Sequence, residues 1–272
     1  MKRTAVVAGK FYEGESGALA AQVERFSIAG RTAEPVIGAV CPHAGFMYSG
    51  AVAGAVYSEM AAADTFVILG PNHTGLGFPF SIMDEGVWEV PTHSFEIDTP
   101  LAAAIINGSP LFTRDASAHR FEHSIEVQLP FMARFFPDAQ IVPVAVMTAS
   151  IEDCSRAGLA VARAIRAAGK TVTIIASSDM SHYIPDEVAR KKDSLANDRI
   201  LALDPEGLYN VVKREKITMC GVLPTTVMLF AAIELGAAAA RLVKYTTSAE
   251  TSGDYDRVVG YSGMVVTKNK GV

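Results

Sequence analysis

Three short apolar runs in the chain end in the same way, and this repetition constrains the fold more than any other feature. The run "PVIGAV" (residues 35–40) passes into "CPHAG", "TFVILG" (65–70) into "PNHTG", and "TVTIIAS" (171–177) into "SDMSHY". Each run has the length of a buried strand, and Pro, Gly or Ser closes it. Helical patterns separate them: "ALAAQVERFSIAG", "SGAVAGAVYSEMAAA", "SIEDCSRAGLAVARAIRAAG" with Ser150 as its cap, and "TTVMLFAAIELG". "TPLAAAIING" reads as a helix capped by Thr99 with Pro100 at its first position. "SIEVQLPFMARFF" reads as an amphipathic helix begun or interrupted near Pro130, and "ARKKDSLANDRILALD" as a charged surface helix. "QIVPVAVM", "ARLVKYTT" and "GYSGMVVT" supply further strands, and residues 77–98 a small β excursion. Strands alternating with helices argue for an α/β fold, with a mostly parallel or mixed central sheet flanked by helices. No Pro/Gly/Ser linker and no internal repeat divides the 272 residues, so one domain over 1–272 is expected.

In open α/β sheets, ligands sit outside the carboxyl ends of the strands. If the three runs are parallel, they deliver His43, His73, and Asp179 with His182 to one edge. One such histidine is weak evidence for a site, because loop histidines are commonly satisfied locally. Three together argue that the edge is a site. "FEHSIEVQLPF" adds His123 and Glu126, whose spacing of three puts them on one face of a helix. They read as a metal pair, as hydrogen-bonded support, or as a helix start with Ser124 or Glu122 capping. Cys220, just before a helix, is placed where a thiol's pKa falls, which suits a nucleophile or a metal ligand. The competing reading is a buried small hydrophobe. Cys41, directly after a strand, also reads as a candidate nucleophile, although its neighbour His43 is the better one to point into the cleft, and Cys154 receives no role. His119 is placed at the cleft mouth, His93 on the surface, and Trp88 and Phe95 in packing.

Two neutral imidazoles and one anionic ligand make a facial triad with open positions, which holds Fe(II) and can take Zn or Cu. A thiolate as the third ligand favours softer metals. His182, with its tautomer fixed by Asp179, is the candidate general base or acid.

Composition narrows the partners. Half the residues are hydrophobic and the net charge is -5, which gives no reason to expect nucleic acid or an anionic membrane. The longest apolar stretch, "LPTTVMLFAAIELGAAAARLV", carries Pro224, Glu234 and Arg241 and suits a buried helix. Lys2 and Arg3 precede only "TAVVAG", too short for a signal peptide's apolar region. Three cysteines make no disulfide framework, so a cytoplasmic location is expected. The sequence has no CxxC, Walker loop, GxGxxG, HExxH or GxSxG.

Taken together and in order, "VAGKFY", "CPHAGFMYSG", "LGPNHTG", "EHSIEVQLPF", "SSDMSH" and "MCGVLPTTVML" resemble the Memo family, whose prokaryotic members are called AmmeMemoRadiSam system protein B. The likeness runs from Val7 to about Val266. It implies the fold of the class III extradiol dioxygenases (LigB-like), which hold a non-haem iron with two histidines and a glutamate. In the Memo family a cysteine takes the third position. By motif, the resemblance implies metal ligands His43, His73 and Cys220, with His182 matching the dioxygenase base, Asp179 beside it, and His123 lining the same cleft. The stretch "EVPTHSFEID" departs from the family's "TPLG" turn and keeps only Ile97 and Asp98, which bears on the cleft rim.

The resemblance leaves three functions open. One is a metal-dependent redox enzyme, with Fe(II) first and Zn or Cu as alternatives, acting on a small molecule. Another is a peptide- or protein-binding module that uses the same cleft and acts with AMMECR1-like and radical SAM partners. The third is a zinc hydrolase.

Overall fold

The computed structural model describes residues 1–268. In chain order its elements are β1 (Lys2–Arg3), α1 (Ser16–Phe26), β2 (Gly38–Cys41), α2 (Phe46–Tyr57), β3 (Thr65–Pro71), β4 (Phe80–Ile82), β5 (Val87–Val90), β6 (His93–Glu96), α3 (Thr99–Gly108), β7 (Phe112–Arg114), α4 (Leu129–Phe135), β8 (Gln140–Val146), α5 (Ile151–Ala168), β9 (Val172–Ser177), β10 (His182–Ile184), α6 (Asp186–Leu201), α7 (Pro205–Arg214), α8 (Val222–Glu234), β11 (Ala239–Thr247), α9 (Ala249–Ser252) and β12 (Val258–Thr267).

Nine strands form one mixed sheet in the order β10-β12-β2-β9-β3-β8-β4-β7, with β11 also paired to β12. Its centre, β2-β9-β3-β8, is parallel. Antiparallel pairs of β12 with β2 and of β4 with β8 extend it on both sides. Helices cover both faces: α2 packs on β2 and β12 with α1 and α4 behind it, while α8 packs on β2, β9 and β3 beside α5. A strand covered on both faces has no polar side, which is why "TFVILG" reads as an unbroken apolar run. All seven residues of β3 are buried. Fully burying one such aliphatic side chain stabilises by about 1.5–3 kcal/mol, so the parallel centre is the rigid platform on which the loops at its carboxyl edge stand.

Several helix ends follow from local chemistry. The Ser150 hydroxyl accepts from the Asp153 amide, and the Asp153 carboxylate accepts from the Ser150 amide, closing a capping box on α5. At α3 the expected cap is displaced by one residue. Thr99 is the first helical residue, and the side chain of Asp98 accepts from the Leu101 amide. Asp204 and Pro205 begin α7, a helix that the sequence reading passed over. The charged helix is real as α6, but Asp193 and Asn197 are buried on its inner face. Residues 77–98 do form β structure: β4 joins the main sheet, while β5 and β6 pair with β1 in a separate three-stranded sheet.

Candidate metal centre

The central parallel strands end level with one another. Cys41 of β2 pairs with Ser177 of β9, and Leu69 of β3 with Ala176 of β9. Each strand then carries a polar residue two positions past its end: His43 after β2, His73 after β3 and Asp179 after β9. The rings of His43 and His73 lie 5.3 Å apart, and His123 lies 5.5 Å from the first and 4.7 Å from the second.

The hydrogen bonds fix which ring nitrogen is free. His43 is 2% exposed, and its Nδ1 lies 2.9 Å from the Ser177 hydroxyl. That hydroxyl donates its one hydrogen to the Ser124 carbonyl at 2.7 Å and accepts from the Gln128 side-chain Nε2 at 2.9 Å. Toward His43 it can therefore only accept, so Nδ1 carries the hydrogen and Nε2 keeps the lone pair. The Nδ1 of His73 meets the Glu122 carboxylate at 2.9 Å, and the Nδ1 of His182 meets the Thr218 carbonyl at 2.9 Å. Both partners are acceptors, so these rings also leave Nε2 free. Burial, with His123 and His73 nearby, holds the pKa of His43 well below its ordinary value and keeps the ring neutral. Burial opposes a charge on His73, but the Glu122 hydrogen bond and charge outweigh it and raise that pKa.

Glu122 organises the loop between the two 3-10 turns, Ser117–His119 and Glu126–Gln128. Its Oε1 accepts from the His73 ring and the amides of His123 and Ser124, and its Oε2 accepts from the His73 amide. Burial pushes the carboxyl's pKa up, but the His73 ring and the surrounding amides outweigh this and hold it at about 2. Oε1 carries three of these hydrogen bonds and Oε2 one, so Glu122 supports His73, and with His73 and His123 it forms a further group whose ligand atoms lie within 4.8 Å of one another. The loop sits this close to β3 because of Gly70, where a Cβ would lie 2.5 Å from the Ser124 hydroxyl and 2.8 Å from Ile125. The expectation that His123 and Glu126 share a helix face fails, because residues 122–125 are not helical and only the short turn Glu126–Gln128 precedes α4 in this segment. His123 lines the cleft, while Glu126 turns away and accepts from Arg3, the Tyr12 hydroxyl and the amides of Val6 and Val7. Among site residues, Glu122 was expected only as a helix cap, and Ser177 and Gln128 were missed. A buried carboxylate beside a histidine in "FEHS" was the one signal available.

Cys220 enters from the turn before α8. Its Sγ lies 3.3 Å from His43 Nε2 and accepts from the Asp179 amide at 3.2 Å. The next residue must be Gly221, since a Cβ there would sit 2.4 Å from the Ser177 carbonyl and the Ser178 side chain. In the metal-free site, burial and then the Asp179 charge raise the thiol's pKa, so the helix start does not by itself yield a thiolate. A bound cation reverses that balance by deprotonating the thiol.

Asp179 takes a different part from the one expected. Its Oδ1 accepts from the amides of His43 and Ala44 at 2.9 and 3.4 Å, and Oδ2 lies 3.9 Å from His43 Nε2. It thus holds the turn that carries His43, while Thr218 and not Asp179 fixes the His182 tautomer. Burial raises the Asp179 pKa against the pull of those amides. His43, His73, His123, Asp179 and His182 all line one cleft of about 690 Å³. His119 is not at its mouth: the ring is buried edge-on against Trp88 at 5.6 Å, with Nε2 on the Ser81 carbonyl. Cys41 and Cys154 are core residues. Trp88 and Phe95 are buried packing residues, and His93 lies half-buried against Phe95. No residue of 77–98 lines the cleft, so the departure at "EVPTHSFEID" falls away from it.

The ligand atoms of His43, His73 and Cys220 lie within 4.8 Å of one another, as do those of Asp179, His182 and Cys220. Two donors at about 2.1 and 2.3 Å from one ion, about 90–110° apart, are separated by about 3.1–3.6 Å. The 3.3 Å between Cys220 Sγ and His43 Nε2 falls within that range. Pre-oriented Nε2 lone pairs, a sulfur and an open side toward a cleft fit a divalent metal.

The fold and these residue groups define an α/β protein with a possible metal site at the carboxyl edge of its sheet. The chain matches the Memo-like protein family over residues 3–265 and belongs to it. It is 42% identical to a MEMO1 family protein of Methanococcoides burtonii, over 97% of this chain and 99% of that one. It is 40% identical to one of Methanothermobacter thermautotrophicus, over 97% of this chain and 100% of the other. The crystal structure of an uncharacterised Escherichia coli K12 protein shares the fold, with a TM-score of 0.51 over 77% of this chain and 89% of that one at 14% identity. This agrees with the LigB-like α/β fold expected. Among the described residues, no helix is long and apolar enough to cross a membrane.

Proposed function

We propose that the cleft is the active site of a metal-dependent redox enzyme, in which His43, His73 and Cys220 hold one divalent metal, Fe(II) before Zn or Cu. The observation that carries this reading is the hydrogen-bond arrangement behind the rings. Ser177 and Glu122 each occupy an Nδ1, and this leaves Nε2 of His43 and His73 free beside the Cys220 sulfur. Metal-binding histidines are held in this way by acceptors behind the ring. When bound, such an ion would supply a Lewis acid and, for iron or copper, a one-electron couple.

The protein's own residues divide the remaining work. His182 presents a free Nε2 to the cleft and is placed to accept a proton from a substrate hydroxyl or return it. Asp179 keeps the turn of residues 43–44 in place and holds negative charge near the cation. His123, packed between His73 and Phe11, shields one wall from water and offers a polar edge to a bound molecule.

Anaerobic titration of the metal-free chain with Fe(II), Zn(II) and Cu(I) tests the ligands. About one ion per chain, lost in His43→Ala, His73→Ala and Cys220→Ser, is the expected result. Equal binding by wild type and variants sinks the triad. Oxygen consumption over a panel of small aromatic and hydroxylated substrates then tests turnover. Metal binding without turnover would favour recognition of a peptide or partner protein in the same cleft.

A further inference from the structure

Among the described residues, three that are not glycine have left-handed backbone: Tyr183 (φ 58°), Leu203 (φ 53°) and Lys216 (φ 51°). Leu203 and Lys216 follow the ends of α6 and α7, where such a residue ordinarily closes a helix. Tyr183 closes no helix. It lies in β10 beside His182, where the pairing with β12 slips register between His182 and Ile184. A bulky residue does not favour this region of backbone space. Bulges and strained residues gather where a side chain has to be aimed at a ligand. Here the bulge turns the Tyr183 ring outward: it is 65% exposed and lines the cleft. The Arg257 guanidinium lies over it, 5.7 Å from the ring centroid.

The other groups at the mouth point to the same chemistry. Lys10 and Arg257 line the cleft, and among the described residues neither forms a salt bridge. Asp256 directly precedes Arg257 in the chain and Asp254 lines the cleft, but neither forms a salt bridge with Arg257, and the Oδ1 of Asp254 is occupied by the amides of Asp256 and Arg257. Asp179 lies against His43, and Glu122 is committed to His73. Tyr261 is 2% exposed and lines the cleft, yet among the described residues nothing hydrogen-bonds to its hydroxyl. Its oxygen is open to the cleft and not enclosed, so it can hydrogen-bond a ligand there. Phe11 supplies an apolar wall against His123 at 4.8 Å.

We infer that the cleft takes a small ligand with an anionic group on a flat apolar body, and that Tyr183 and Arg257 select it: Arg257 receives the anion and the Tyr183 ring packs on the flat body. This rests on the reading of the cleft as a small-molecule site, and it assigns that site a ligand class and two specificity residues that bind no metal.

Benzoate, phenylphosphonate and uncharged benzamide are titrated calorimetrically into the metal-free full chain. At least one of the two acids should bind about tenfold more tightly than benzamide, since a guanidinium–anion pair is charge-assisted. The tighter of the two tells a carboxylate source from a phosphate source. Arg257→Ala should remove that preference, while its Co(II) binding stays as in wild type. Tyr183→Gly relieves the left-handed backbone, so it should melt no lower than wild type and yet bind the acid about fivefold more weakly. Benzamide binding as well as the acids, Arg257→Ala titrating like wild type, or no binding of any probe up to about 10 mM each overturns the inference. Because the titration uses metal-free protein, a failure of the metal triad leaves these outcomes readable.

Discussion

Removing the Ser177 hydroxyl should weaken metal binding although Ser177 touches no metal. Three hydrogen bonds meet at this oxygen: from His43 Nδ1 at 2.9 Å, from the Gln128 side-chain Nε2 at 2.9 Å, and to the Ser124 carbonyl at 2.7 Å. Alanine leaves the His43 N–H facing a methyl group in a site with 2% exposure. A buried donor without an acceptor costs about 1–3 kcal/mol. The ring then gains by moving its hydrogen to Nε2, where the Cys220 sulfur is an available acceptor, and that tautomer has no lone pair to give a metal. Losing the group behind a ligating histidine typically costs about 10–100-fold in metal affinity, which is about 1.4–2.7 kcal/mol. The assay is an anaerobic competition titration with Co(II), whose thiolate absorption reports Cys220 directly, run beside a melting curve. Ser177→Ala that remains folded and binds Co(II) within about threefold of wild type, against the loss expected, would refute the tautomer argument and with it the main support for His43 as a ligand.

Three further outcomes follow from the same contacts. Glu122 has a carboxyl pKa held down at about 2 against an ordinary 4.5. Its stabilising contribution is therefore complete above pH 4.5 and is lost as the pH falls from there toward 2; at about 1.4 kcal/mol per unit it is on the order of 3 kcal/mol, and urea unfolding of the metal-free protein should show this acid-side slope shrink in Glu122→Gln. Arg3 and Glu126 form a buried ion pair, so Glu126→Leu, which leaves the guanidinium its carbonyl partners at His119 and Glu122 but no counter-charge, should cost about 3–5 kcal/mol in denaturant unfolding, and equal stability would mean that those carbonyls suffice. Cys41 and Cys154 are buried and Cys220 is partly exposed, so iodoacetamide should label Cys220 alone in the metal-free protein and be blocked by bound metal; labelling of all three in the native state would contradict this packing.

The parts of this molecule legible in the sequence were those set by local pattern. The run "TFVILG" could only be a strand covered on both faces, and the Gly-Pro after it could only stop that strand, so His73 had to stand at the sheet's carboxyl edge. The same grammar placed His43 and Asp179. What local pattern did not supply was direction. Nothing in "SDMSHY" tells whether Asp179 turns to His182 or to the amides of residues 43–44, because both are within reach and the choice is made by β12 pulling His182 into β10 and by Thr218, which comes from the loop after α7. Nor did the spacing of His123 and Glu126 reveal that the chain there is a loop: Glu122 wraps four hydrogen-bond donors around itself and holds the backbone out of the helix until Leu129.

Cys220 shows the limit from the other side. It is 177 positions from His43, and no periodicity connects them. The two meet because the turn at 219–221 is pressed onto the end of β9, and that contact requires the missing side chain of Gly221. A Cβ there would displace the turn by tenths of an ångström to more than one, and the sulfur with it, while leaving the apolar core of the sheet intact. The cluster thus depends less on the residues that donate lone pairs than on two close backbone approaches, at Gly70 and Gly221, which bring a loop and a helix start onto the ends of strands already fixed by burial. Gly221→Ala tests that dependence in isolation: thermal stability should fall modestly while Co(II)–thiolate absorption is lost.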